Sequence, residues 1–351
     1  MKTNPLKTKP FVVPVFLPHA GCPHRCIFCN QHSTTGQSEA LPSVSAVRET
    51  ISGFLAHRRD RGRWTEISFY GGNFLGLWPE QIDLLLATAT GFVHRGQADG
   101  IRFSTRPDTI DANRLAQIAR FPVTTIELGV QSMNDAVLQH SQRGHTSKTV
   151  REAVALLKSQ PYSLGLQMMV GLPGDTPATA MVTARQLTAL APDFVRIYPT
   201  VVLRGSPLAR QHAQGHYSPM ALDEAVALVA DLYQIFRRND IPVIRMGLQA
   251  ATELSPQADL IAGPFHPAFG ELVQSALWQA AISRHLEMEG LQKADVLLEV
   301  PPRLLSQVKG QKDGNIIGLL QTYPLSSLEV RTNDAVAEET VRINGKPCLR
   351  S

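Results

Sequence analysis

The strongest constraint on what this chain can fold into is an alternation. Short apolar runs of strand length are separated by longer stretches whose apolar residues recur at helical spacing. Candidate strands fall at 11–17, 65–70, 100–105, 124–130, 163–170 and 193–199. Between them, 43–56 places Val44, Val47, Ile51, Phe54 and Leu55 on one stripe, and similar stripes run through 79–92, 147–158, 176–190 and 219–237. Such alternation predicts parallel strands with helical crossovers. Six strand–helix units are too few for a closed eightfold barrel, and the pattern alone leaves a partial barrel and a doubly wound sheet both open. Either architecture gathers the loops beginning at Pro18, Gly71, Arg106, Gln131 and Gly171 at the carboxyl ends of the strands, where ligands bind.

A weaker strand at 241–245 follows the long helix, and beyond residue 255 the pattern changes to a mixed segment with a helix at 268–286 and a strand at 294–300. The expected organisation is a core over 1–254 and a C-terminal accessory region over 255–351. At 351 residues, 43% hydrophobic and 18% charged, the chain can bury a sizeable core and is neither disordered nor a membrane protein in composition. Its formal charge of +4 permits an anionic partner without requiring one. The densest basic stretch, His57 to Arg63, reads as a solvated loop.

Four cysteines occur, and three lie within eight positions, unlike the dispersed framework of a disulfide scaffold. A reducing, cytoplasmic setting is expected. The first ten residues lack the apolar core of a secretory leader, and the run from Phe11 to Leu17 is too short and proline-broken to span a bilayer, so no membrane is expected as partner.

Cys22, Cys26 and Cys29 have C-x3-C-x2-C spacing on the loop after the first strand. Three soft thiolates so close can hold a metal or cluster together. A closed zinc site needs a fourth ligand, which His19, His24 or His32 would supply. A 4Fe–4S cube on three thiolates instead leaves one iron open for a chelating cofactor. Cys348 reads as a bystander.

With Phe28 before Cys29, this loop resembles the signature of the radical S-adenosylmethionine (SAM) superfamily. Other stretches narrow the likeness: Phe69-Tyr70-Gly71-Gly72-Asn73-Phe74, Ser104-Thr105-Arg106-Pro107-Asp108, Glu127-Leu128-Gly129-Val130-Gln131-Ser132, Arg143-Gly144-His145-Thr146 and Ile197-Tyr198-Pro199-Thr200 with Arg204-Gly205. Together they resemble the radical domain of the Elongator catalytic subunit over about residues 11–250 and, more loosely, the oxygen-independent coproporphyrinogen dehydrogenases. The fold class then expected is α/β: a partial (βα)6 TIM-like barrel with a smaller α+β C-terminal accessory region.

The resemblance implies a 4Fe–4S cluster on Cys22, Cys26 and Cys29. It also implies reductive cleavage of SAM to a 5'-deoxyadenosyl radical that abstracts hydrogen from a substrate. It places the cofactor against Gly71, Gly72, Ser104, Arg106, Gln131, Arg143 and Gln167. Glycines permit close backbone approach, and an arginine's fork of donors suits a carboxylate. Ser104 stands where relatives often have Glu, and Gln167 where they often have Asp. Gly171 to Thr176 matches the superfamily's fifth-strand glycine loop, though a helix-capping turn explains it nearly as well.

Two departures bear on the substrate. The Elongator subunit has a wider cysteine spacing, and the residues after 255 show no glycine-rich acyl-coenzyme A loop. The implied partners are transfer RNA and an electron donor such as a flavodoxin or ferredoxin. A tetrapyrrole-metabolising radical enzyme and a non-catalytic iron–sulfur or zinc protein are the alternatives. In the accessory region, His266 within Gly-Pro-Phe-His-Pro reads as a loop histidine satisfied by backbone. Lys309 and Lys312, in Lys-Gly-Gln-Lys-Asp-Gly-Asn, read equally as phosphate contacts or a solvated turn.

Overall fold

The structure, a computed structural model, describes residues 10–23, 26–30, 41–248 and 259–350. Its first half repeats one unit, a strand followed by helices that return over one face. The elements run β1 (Phe11–Phe16), α1 (Val44–Ala56), β2 (Thr65–Tyr70), α2 (Pro79–His94), β3 (Gly100–Thr105), α3 (Ala112–Ile118), β4 (Val123–Gln131), α4 (Asp135–His140), α5 (Ser147–Lys158), β5 (Ser163–Val170), α6 (Pro177–Ala189) and β6 (Phe194–Pro199). They continue with β7 (Val202–Leu203), α7 (Pro207–Ala213), α8 (Leu222–Arg237) and β8 (Val243–Met246). The helices start where side chains cap them: Ser43 accepts from Ala46 N, Thr146 from Thr149 N and Thr176 from Thr179 N.

The strands form one parallel sheet in the order β1-β2-β3-β4-β5-β6-β8. The weak strand expected at 241–245 is its seventh member, at the edge beyond β6. The sheet is curled. In a flat sheet, β2 and β6 would lie about 19 Å apart, four strand spacings. Here Arg196 on β6 donates from Nη2 to the Tyr70 hydroxyl on β2 at 3.0 Å. The two side chains meet because the sheet wraps into a half-barrel whose interior they share.

The two faces of the sheet differ in chemistry. Outward-facing Ile67, Ile101, Phe103, Ile126, Leu128, Leu166, Met168 and Ile197 are fully shielded and pack with the helices into the main core. Each stabilises the fold by roughly 1.5–3 kcal/mol. At the alternate positions the interior carries Glu66, Arg102, Glu127, Gln167 and Arg196. Parallel strands are usually apolar on both faces, so this polar interior was not legible from apolar periodicity.

After residue 258 the chain forms β9 (Leu260–Ala262), which pairs with β7, and the long helix α9 (Phe269–Met288). Then come β10 (Asp295–Val300), α10 (Leu305–Lys309), α11 (Gly314–Thr322), β11 (Ser327–Thr332), β12 (Thr340–Ile343) and β13 (Lys346–Leu349). These four strands make a second sheet ordered β11-β10-β12-β13. The first turns of α9 contribute Phe269, Val273 and Leu277 to the main core. Its later turns give Trp278, Ala281, Ile282 and Leu286 to the C-terminal core. One helix therefore joins both cores. The boundary expected near residue 255 lies outside the described residues.

Candidate active site

Three loops converge at the carboxyl end of the sheet. The cysteine loop leaves β1 with Leu17 N bonded to Tyr70 O, turns through His19 and Gly21 at positive φ, and lies against the loop that follows β2. Contact is backbone to backbone. A Cβ on Gly72 would sit 2.2 Å from Ala20 O, and one on Gly21 would sit 2.3 Å from Asn73 O. Gly71 takes φ +103, a conformation open to glycine, beside the Leu17 backbone. Both glycines that the resemblance places against the cofactor therefore also seat the cysteine loop.

Asn73 organises the junction. Its Nδ2 donates to Gly21 O at 2.9 Å, and its Oδ1 accepts from Arg106 N at 2.9 Å and Thr105 Oγ1 at 2.7 Å. The far half of the cysteine loop is tied down by Ile27, which is fully buried with Val202, Leu208 and Tyr217. Asn30 Nδ2 reaches Arg204 O at 2.5 Å.

Two arginines approach the Cys26 sulfur. Arg143 Nη1 is 3.0 Å from it and Arg106 Nη1 is 3.9 Å away. Arg106 is held by a two-point pair with Asp108, at 2.9 Å from Nε and 2.8 Å from Nη2, and also donates to Arg143 O. Arg143 Nη2 donates to Gly129 O at 2.5 Å. Burial, helped by the nearby Cys26, pushes the Cys22 thiol up to about 11, and Arg106 and Arg143 pull the other way. Among the described residues no three His, Cys, Asp or Glu side chains gather closely enough to hold a metal ion. Cys22, Cys26 and Cys29 share one loop without being drawn into such a group, and His24 and His32 lie outside the described residues.

Gln131 ends β4 at a register shift with φ 71, a left-handed conformation costly for a side chain of its size. It is buried, and among the described residues its Oε1 has no hydrogen-bond partner, as is true of Arg143 Nε. Buried polar atoms left unpaired are expensive, and each calls for a cause such as strain, a water, an ion or a ligand. These orphaned atoms, the paired cations beside Cys26 and the soft donor set suit an anionic cluster with a polar, zwitterionic cofactor. The residues present therefore fit both groups.

Ser104 and Gln167 lie deeper, inside the half-barrel. Gln167 Nε2 donates to Ser104 Oγ at 3.2 Å and to Glu127 Oε2 at 3.0 Å. Glu127 is wholly buried and also takes Arg102 Nη1 at 3.1 Å, Arg196 Nη2 at 2.8 Å and the Tyr70 hydroxyl at 3.2 Å. Despite burial, Arg196 and Arg102 hold its carboxyl below the usual carboxylate range. Glu66 accepts from Arg102 Nε at 2.8 Å and Thr125 Oγ1 at 2.7 Å. The signal of this network in the sequence is one charged or amide residue inside each otherwise apolar strand from β2 to β6.

His145 is buried with Nε2 3.3 Å from Val130 O, and its Nδ1 has no partner among the described residues. Burial and the nearby Arg143 lower its pKa to about 4. The Gly171 to Thr176 stretch is a capped turn: Asp175 accepts from Gly171 N at 3.1 Å, and Thr176 caps α6.

The sequence matches the Radical SAM superfamily over residues 16–187 and the Radical SAM C-terminal domain over residues 192–279. The chain belongs to the radical SAM superfamily. This superfamily is one of enzymes, and membership implies an iron–sulfur cluster with SAM. Among curated proteins, the chain is 27% identical over 243 residues to the tRNA uridine(34) acetyltransferase of Dehalococcoides mccartyi, covering 60% of this chain and 53% of that one. It is 26% identical over 306 residues to mouse Elongator complex protein 3, covering 71% of this chain and 56% of that one. The chain thus spans about half the length of these relatives. Among solved structures, archaeal Methanocaldococcus infernus Elp3 superposes with a TM-score of 0.57 at 20% identity, covering 81% of this radical SAM chain and 65% of that one. That likeness establishes the curled α/β fold. No helix among the described residues is long and apolar enough to cross a membrane.

Proposed function

We propose that this chain is a cytoplasmic radical SAM enzyme acting on transfer RNA, with residues 1–254 as its radical core and 255–351 as an accessory region. Cys22, Cys26 and Cys29 would hold a 4Fe–4S cluster. Gly71, Gly72, Gln131, Arg143 and Arg106 would surround SAM, with Ser104 and Gln167 behind them. The observation that carries this reading is the approach of Arg143 and Arg106 to the Cys26 sulfur, beside the orphaned Gln131 Oε1 and Arg143 Nε. When bound, cluster and cofactor supply one-electron cleavage of SAM and hydrogen abstraction from substrate. The chain's own part is orientation. Asn73 fixes the cysteine loop against Arg106, and Arg143 fixes it against β4. The ion network around Glu127 gives the interior a rigid polar floor. The tRNA assignment rests on the names of the relatives, and a flavodoxin or ferredoxin is the proposed reductant.

The test is anaerobic reconstitution with iron and sulfide, then dithionite and SAM, with 5'-deoxyadenosine measured by chromatography. Wild type and Cys348→Ala should form it, because the Cys348 thiol donates to Ala281 O inside the C-terminal core, away from the cysteine loop. Cys29→Ala should form neither cluster nor product. Stoichiometric zinc without sulfide after reconstitution would end the radical reading.

A further inference from the structure

Two strings in the accessory region have no role in the site above, and the fold brings them together. His266, from Gly-Pro-Phe-His-Pro, and Lys309 and Lys312, from Lys-Gly-Gln-Lys-Asp-Gly-Asn, line a single cavity of about 450 Å³ whose apolar wall includes Leu272 and Leu305. That volume lies within the range of ligand sites.

The turn between α10 and α11 is built to a fixed shape. Gly310, Lys312 and Asp313 all take positive φ, at 75°, 53° and 58°. A Cβ on Gly310 would sit 2.9 Å from Asn315 Oδ1, so glycine is required there. Asn315 is buried behind it and donates from Nδ2 to Ser275 O at 2.9 Å and Ser275 Oγ at 3.0 Å, pinning the turn to α9. Lys312 is thus displayed from a rigid turn, exposed and with no ion-pair partner among the described residues. The two carboxylates nearby are engaged: Asp313 lies 3.5 Å from Lys309 Nζ, and Glu271 accepts from Gln307 Nε2 at 3.0 Å. His266 Nδ1 accepts from Ala268 N at 3.1 Å, which leaves Nε2 as its donor.

The place of this cavity in the fold indicates its occupant. Gly263, three residues before His266, packs on Thr200 and Val201, just past the carboxyl end of β6. His266 thus stands three residues from a contact with the rim at the carboxyl end of the sheet, the end where a half-barrel takes its ligands. A long polyanion with one residue inside the barrel would run its backbone over that rim. Glycine-bounded turns between two helices are a known way to grip nucleic-acid backbone, since the missing side chains let phosphates approach.

We propose that Lys312 and His266 form a backbone-phosphate subsite for the RNA substrate, with Lys309 offsetting the charge of Asp313 beside them. This rests on the tRNA reading above. The test uses the full chain, anaerobically reconstituted, titrated with a fluorescein-labelled anticodon stem-loop RNA at several salt concentrations. Lys312→Glu should weaken binding about tenfold and reduce the slope of log affinity against log salt by about one. Lys312→Arg should keep both, and RNA-free formation of 5'-deoxyadenosine should not change in either variant. Equal affinity and slope in Lys312→Glu and wild type would overturn the subsite and leave the tRNA reading standing. Failure of wild type, with full cluster and product formation, to bind the RNA would overturn both.

Discussion

Arg143 places Nη1 3.0 Å from the Cys26 sulfur while its Nη2 donates to Gly129 O, so one guanidinium links the carboxyl end of β4 to the cysteine loop. A cation at this distance stabilises negative charge on the sulfur and on any cluster bound to it. Arg143→Gln should therefore lower the reduction potential of the reconstituted cluster. The expected drop is roughly 60 mV or more, the one-electron equivalent of about 1.4 kcal/mol. Redox titration followed by electron paramagnetic resonance measures it, and an unchanged potential would show that the contact is not made in the loaded protein.

Glu127 carries the ion network of the interior. Glu127→Gln removes the charge facing Arg196 and Arg102, and breaking a buried pair this way costs about 3–5 kcal/mol. Urea unfolding at pH 7 should show a loss of this order. The carboxyl's pKa is depressed in the folded chain. Its stabilisation is therefore complete above its unfolded value, near 4.3, and is lost as pH falls through the folded value. The gap between wild type and Glu127→Gln should narrow only in acid below about pH 4.

His145 shifts stability with pH in the same direction through a different cause, because burial keeps it neutral in the folded chain. With a folded pKa of about 4 and an unfolded one near 6.5, the unfolded chain binds more protons between these values. Stability should rise with pH across that window. In His145→Gln, urea midpoints between pH 5 and pH 7 should depend less on pH than in wild type, and identical slopes would contradict the burial of this ring.

Gly72 and Gly53 make a contrasting pair. An added Cβ at Gly72 meets fixed backbone of the cysteine loop, whereas at Gly53, within α1, it meets no atom of the described residues within 4 Å. Gly72→Ala should cost about 1–3 kcal/mol and lower the iron retained after reconstitution. Gly53→Ala should stabilise the fold by about 0.5–1 kcal/mol, through lost freedom in the unfolded chain, and leave iron unchanged. Thermal melts with iron analysis separate the two.

Sequence alone determined the parallel α/β class, because strand and helix periods are local properties of successive residues. It located most of the long helices within a few residues, since an apolar stripe at helical spacing is written in successive turns of the chain. The C-x3-C-x2-C spacing also singled out the loop that the structure places at the carboxyl end of β1. What only the tertiary structure decided depends on residues far apart in the chain. Gly72 is held by Ala20, and Arg143 lies against a cysteine more than a hundred residues earlier. Gln167, Arg102 and Arg196 meet on Glu127 because the sheet curls, and His266 and Lys312 line one cavity because the elements after α9 fold back beside its first turns. Curvature and crossover direction are set by packing of the whole sheet. No window of sequence contains them, so the partners in the site and in the accessory cavity became visible only once the chain was folded.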